Sequence, residues 1–250
     1  MSLIAVGSAK GSPGATTVAL TLAAVWPRRA LLAELDPTGS DLLYRLRGVD
    51  RAPLSADSGV LGYVAGGAAD GGGDPLAHSE QVGAGLDILV GPPPARVGEV
   101  AGSWGVLADR LAAAPALDVL ADCGRLHPGS PALEVLTRAA AVVFVTRPTI
   151  DGVAHLLARA AELAGVLAEG TMLHAIVVTD VRDARSQREI DQLAERADLP
   201  LEVLGRLAVD PEAVGLLGGA WSGRLEKSLL IRSARELAGK LDKVLPVPEL

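Results

Sequence analysis

Aromatic side chains are almost missing from this chain: one Phe, two Tyr and three Trp among 250 residues. Ala, Leu and Val must fill the core instead, and such small side chains let helices lie close on a sheet. The single cysteine, Cys123, excludes an internal disulfide framework and implies a reducing compartment. The four histidines are scattered without metal-ligand spacing, and with one cysteine they suggest no zinc site. No apolar run approaches the roughly 18 residues that span a bilayer. No basic segment followed by an apolar stretch opens the chain, so a secretory signal is not expected and a cytoplasmic location is. Lysine is scarce as well. Of 23 basic residues only Lys10, Lys227, Lys240 and Lys243 are lysines, so Lys10 stands alone in the first 226 positions. The net charge of −7 argues against a dedicated nucleic-acid binder, which would carry a basic stripe.

What remains is an apolar chain with a regular rhythm. Short β-branched or Leu-rich runs read as strands at Leu3–Gly7, Ala30–Leu35, Leu86–Val90, Leu117–Asp122, Ala141–Thr146, Leu173–Thr179 and Leu201–Leu207. Helical patterns lie between them, such as Val18, Leu22 and Val25 at i, i+4, i+7. That alternation predicts one α/β domain over residues 1–250, a doubly wound, mostly parallel sheet with helices on both faces. Two loops stand out. AGGAADGGGDP (65–75) is too rich in glycine for a helix and reads as a surface loop. GPPPAR (91–96) follows a strand at the end where open sheets bind ligands, and reads equally as a rigid turn.

Residues 7–17 read GSAKGSPGATT, between the apolar run LIAV and the helix-like run VALTLAAV. A phosphate-binding loop needs a strand, a glycine-rich turn with inward amides, and a helix whose N-terminus faces the anion. Leu3 to Val25 supplies all three. Gly11 and Gly14 permit close backbone approach, and Thr16 stands where a hydroxyl ligates Mg²⁺. The pattern G-x-x-x-x-G-K-[ST] reads Ala9…Gly14-Ala15-Thr16 here, so its first glycine and its lysine are both replaced.

AKGSPGATT resembles the deviant Walker A motif of the MinD/ParA family, G-K-G-G-x-G-K-T-[TS]. The resemblance implies that Lys10 is the signature lysine that reaches across a dimer to the partner's nucleotide. It implies that Thr16 binds Mg²⁺, and that Ala15 replaces the Walker lysine. ALLAELDPTGSDL (30–42) is similar to the family's switch I, with Asp36 on the aspartate that positions water and Glu34 in place of an earlier aspartate. LDVLADCGR (117–125) resembles the Walker B and switch II stretch, with Asp122 holding Mg²⁺ through water and the usual Pro-Pro lost to Cys123-Gly124. VVTDVR (177–182) carries Thr179 and Asp180 where the family often reads adenine with Asn. AAVVFVTRPTIDGVAHL and LGRLAVDPEAVGLLGGAWSG resemble later segments, so the likeness covers nearly the whole chain. Candidate catalytic residues are Lys10 and Asp36. Candidate nucleotide-binding residues are Lys10, Gly11, Ser12, Gly14, Ala15, Thr16 and Thr17, and the candidate metal set is Thr16, Asp36 and Asp122. Taken singly, Lys10 reads as a solvated loop lysine, Thr16 as a first-turn residue, Asp36 as a turn-former and Asp122 as a cap. Their shared placement at strand C-terminal ends favours one site.

A charged hydrogen bond contributes about 1.5–3 kcal/mol, roughly ten- to a hundredfold in affinity. Loss of the lysine weakens hydrolysis further, because it offsets charge developing on the γ-phosphate. Pro13 has no N–H and removes one donor from the cradle. The expectation is a family-like homodimeric switch that holds ATP and Mg²⁺ weakly or not at all, with impaired hydrolysis, positioning division, chromosome, pilus or secretion machinery. Divergent loops also occur in the pilus-associated TadZ/CpaE branch. A nucleotide-free scaffold and an active DNA-segregating ATPase rescued by Lys10 are the two alternatives. The stretch 224–243 and the residues just after it carry Leu230, Ala234, Leu237, Leu241 and Leu245 at helical spacing. It lacks the aromatics and dense basic face of a membrane anchor and is expected to pack on the sheet. DNA binding through Arg232, Arg235, Lys240 and Lys243 is the weaker expectation.

Overall fold

In the computed structural model the described residues are 2–70, 73–83, 85–127, 129–217 and 223–245. Eight strands among them form one sheet in the order β3-β4-β2-β5-β1-β6-β7-β8. They are β1 Leu3–Ser8, β2 Ala30–Glu34, β3 Glu80–Val82, β4 Leu86–Leu89, β5 Asp118–Arg125, β6 Ala141–Thr146, β7 Met172–Thr179 and β8 Leu201–Ala208. All neighbours run parallel except the short edge strand β3, which pairs antiparallel with β4.

The helices are α1 Ala15–Ala24, α2 Leu42–Arg45, α3 Gly59–Asp70, α4 Trp104–Ala112, α5 Leu133–Leu136, α6 Ile150–Ala164, α7 Ser186–Arg196, α8 Pro211–Leu216, α9 Gly223–Glu226 and α10 Leu229–Val244. Alternate residues of each strand sort onto two cores. Ala5, Leu31, Val119, Ala121, Cys123 and Phe144 meet the helices on one face. Ile4, Val6, Leu32, Leu120 and Val143 meet α1 and α10 on the other. A sheet buried on both faces needs such continuous apolar strands, and every residue of β1, β2 and β6 is buried.

Two expectations change. Residues 65–70 of the glycine-rich stretch continue α3 rather than looping. Glycine suits this helix because the turn Pro75–His78 presses on it: a Cβ at Gly66 would lie 3.0 Å from the His78 ring. Residues 71 and 72 of that stretch lie outside the described set. Secondly, β5 does not stop at Asp122 but runs on to Arg125. The C-terminal helix packs on the sheet as expected, with Leu230, Ala234, Leu237, Leu241 and Leu245 all buried. Among the described residues no helix is long and apolar enough to cross a membrane.

Candidate functional site

Strands β1, β2 and β5 lie side by side and end at the same edge of the sheet, so the loops that leave them converge. Gly14 closes the first loop in a left-handed conformation and caps α1, with Val18 N–H donating to its carbonyl at 2.9 Å. No side chain caps this helix and no acidic residue occupies its first turn. Its N-terminal residues line a cavity of about 440 Å³, which Asp36 and Asp41 also line.

Gly11, Ser12, Gly14, Ala15, Thr16, Thr17 and Asp36 all line this cavity. Ala15 is also packed into the α1-side core. Pro13 lines the cavity too, without an N–H to offer. Lys10 is exposed and is not part of the lining. The structure thus gathers the predicted loop around one cavity and leaves the predicted signature lysine outside it.

Asp122 is fully buried opposite Val6 in the β1–β5 register and is not itself part of the cavity lining. Its Oδ1 accepts from Gly124 N–H at 3.1 Å, while Oδ2 has no hydrogen-bond partner. Burial pushes its carboxyl up to about 7; the nearby Thr16 hydroxyl and Gly124 amide pull the other way, and the charges of Glu34 and Asp36 add a little to the rise. An unpartnered buried carboxylate oxygen beside a threonine hydroxyl and two further carboxylates fits a divalent cation. No group of three His, Cys, Asp or Glu side chains converges in metal-holding geometry among the described residues. Mg²⁺ takes one or two carboxylates and completes its shell with water and phosphate.

Glu34 does something different. Its carboxylate is buried and accepts from Ser40 Oγ, from the amides of Asp41 (2.8 Å) and Leu42 (2.9 Å), and from Gly91 N–H (3.0 Å). Burial raises its pKa and these four bonds oppose the rise. Glu34 is thereby the pin that holds the 35–42 loop to the sheet. The second half of the pin is Pro92, whose carbonyl accepts from Ser40 N–H at 2.8 Å. GPPPAR is therefore a buttress for this loop rather than a wall of the cavity. At the loop's other end, Asp36 Oδ1 accepts from Thr38 N–H (2.8 Å) and Thr38 Oγ1 (2.7 Å).

A second, mostly apolar pocket of about 300 Å³ adjoins the first and shares Pro13, Gly14 and Thr17 with it. Arg147, Val209, Asp210 and Pro211 line it as well. Asp210 caps α8 through Ala213 N–H at 3.0 Å. Thr179 and Asp180, proposed from the resemblance as base-reading positions, are not in this lining; Thr179 donates to Asp183 at 2.9 Å. Residues 218–222 of the later family-like segment lie outside the described set.

No protein-family model matches the sequence, and no curated protein matches it. Solved structures do. A ParA family ATPase from Chlorobium tepidum superposes with a TM-score of 0.74 at 17% identity, covering 96% of this chain and 98% of that one. The cell division ATPase MinD of Pyrococcus furiosus gives 0.73 at 18%, over 97% and 99%. The septum site-determining protein MinD of Pyrococcus horikoshii, complexed with Mg-ADP, gives 0.70 at 21%, over 97% and 96%.

The chain has the MinD/ParA fold.

Within that fold, Cys123 is a core residue: it is fully buried and its thiol is pushed well above its usual range by burial, with Asp122 and Asp36 adding to it. Burial disfavours the thiolate, the nucleophilic form. Two cavity residues escaped the sequence reading, Arg45 and Arg125. Arg125 closes the stretch 117–125 and Arg45 stands three positions past the stretch 30–42, and neither was singled out.

Proposed function

We propose that this chain is a divergent member of the MinD/ParA family: a nucleotide-dependent switch that holds Mg-ATP weakly, hydrolyses it slowly and acts as a homodimer on a protein partner. The observation that carries this reading is the coincidence of an uncapped helix N-terminus and Thr16 at one cavity, with the unpartnered Oδ2 of the buried Asp122 next to Thr16 and Gly124 of its lining. Phosphates would lie against the amides of Gly14 to Thr17, and the adjoining apolar pocket has room for a base. Bound Mg²⁺ would offset phosphate charge. Thr16 would hold the ion by its hydroxyl and Asp122 through water, while Asp36, fixed by Thr38, would orient water at the cavity mouth. Lys10, exposed on the loop, is free to serve a second subunit.

The competing reading is a nucleotide-free scaffold, favoured by the burial of Ala15 and the missing amide of Pro13. Calorimetric titration with ATP and Mg²⁺ decides between them. Saturable binding eliminates the scaffold, whereas silence at millimolar nucleotide eliminates the switch. Turnover well above background would instead support an active ATPase, and retention on DNA that falls steeply with salt would support segregation.

A further inference from the structure

Loss of the Walker lysine leaves the phosphate face of the cavity without its usual cation. Arg125, the last residue of β5, and Arg45, the last of α2, line that cavity. Both are exposed, and among the described residues neither makes an ion pair or side-chain hydrogen bond. Other arginines are tied down: Arg28 to Asp118, Arg96 to Asp57 and Glu99, Arg138 to Asp109 and Glu134.

The direction of Arg125 has a structural cause. Along β5, Ala121 and Cys123 face one core and Leu120 the other, which puts Asp122 on the α1 side. Strict alternation would then place residue 125 on the Cys123 side, away from the phosphate loop. The β1–β5 register instead slips, from Val6 opposite Asp122 to Ser8 opposite Arg125, so β5 carries one extra residue. Gly124 absorbs it with φ +59°, and Leu126 returns to the Cys123 core. A bulge of this kind re-aims the following side chain, and here it turns Arg125 into the cavity beside the loop of β1.

We propose that Arg125, aided by Arg45, supplies the phosphate-facing positive charge that Ala15 lacks, so that the cation has moved from the start of α1 to the end of β5. This rests on the nucleotide-binding reading above. A guanidinium presents forked donors that match phosphate oxygens. It also offsets Asp36 and Asp41, whose carboxylates share the same lining.

The test is calorimetric binding of Mg-ATP, and of inorganic tripolyphosphate with Mg²⁺, to the wild type and to Arg125→Ala, Arg45→Ala and the double variant. Arg188→Ala, on α7, controls for net charge. Arg125→Ala should weaken both ligands by roughly ten- to a hundredfold, with melting temperature unchanged. Arg125→Gln repeats the measurement should the alanine variant melt early. Adding Ala15→Lys to Arg125→Ala should restore at least tenfold. If the wild type binds Mg-ATP and the double variant binds within twofold of it, the relocated cation is wrong while the nucleotide site stands. If the wild type binds neither ligand, both readings fall.

Discussion

The carboxylate of Asp36 occupies the space that a side chain on residue 124 would fill: a Cβ built on Gly124 would lie 2.0 Å from Asp36 Oδ2. The two stretches are thus interlocked, the 35–42 loop lying over a backbone that only glycine can provide there. Gly124→Ala must expel Asp36 and also adopt φ +59°, a left-handed conformation costing roughly 1–2 kcal/mol for a residue with a side chain. The variant should lose about 2–3 kcal/mol in urea unfolding. Unchanged stability would mean that the bulge is not held as described.

Glu34→Gln keeps the shape of the buried pin but replaces a carboxylate oxygen by a donor. At least one amide of Asp41, Leu42 or Gly91 then faces another donor. We expect a loss of about 1–3 kcal/mol and faster limited proteolysis between residues 35 and 42. Cleavage at the wild-type rate would argue that the loop is held by Pro92 alone.

Asp122→Asn should trade stability against ligand binding. A carboxylate raised to about 7 favours the folded state most when protonated, so the contribution of Asp122 to stability rises as pH falls from about 7 towards the ordinary 3.8. The asparagine variant should lack that rise, be more stable at pH 8 by about 1–3 kcal/mol, and lose any Mg²⁺ dependence of nucleotide binding. Denaturant melts at pH 6 and 8, with and without Mg²⁺, check all three.

His174 gives the opposite slope. It is buried on β7, neither ring nitrogen has a hydrogen-bond partner, and Nδ1 stands 3.7 Å from Glu202. Burial holds its pKa below 6.5, and the Glu202 carboxylate offsets only part of that. Below pH 6.5 the unfolded chain takes up a proton that the folded one refuses, so this group costs stability as pH drops, no more steeply than about 1.4 kcal/mol per pH unit. His174→Leu should flatten the profile between pH 6.5 and 5 relative to wild type. Parallel profiles would remove His174 as the cause.

Lys10→Ala should abolish nucleotide-induced dimerisation in light scattering while leaving the melting temperature unchanged, because the side chain is exposed and unpaired. A dimer that still forms with Mg-ATP would mean that Lys10 is an ordinary loop lysine.

Most of the scaffold was legible in sequence because it depends on local periodicity. The strands at residues 3, 30, 86, 141, 173 and 201 start within one residue of where their apolar runs begin. Thr16, Asp36 and Asp122 could be picked out as candidates because each lies in or just beside a recognisable strand or helix start. The helical end of α3 was not, because glycine propensity is a local penalty that the packing of Pro75–His78 overrides. β3 was missed since three residues carry too short a pattern.

By itself, then, the chain determined its layers and the order of its phosphate loop, since apolar spacing and glycine position act on neighbouring residues. Only the tertiary structure decided what fills the altered site. It made Glu34 a pin for the 35–42 loop through amides up to 57 positions away. It set Asp36 over Gly124, and it turned Arg125 into the cavity through a register slip between two strands. A slip of one residue reverses which face a side chain takes, and that depends on the partner strand rather than on any local pattern.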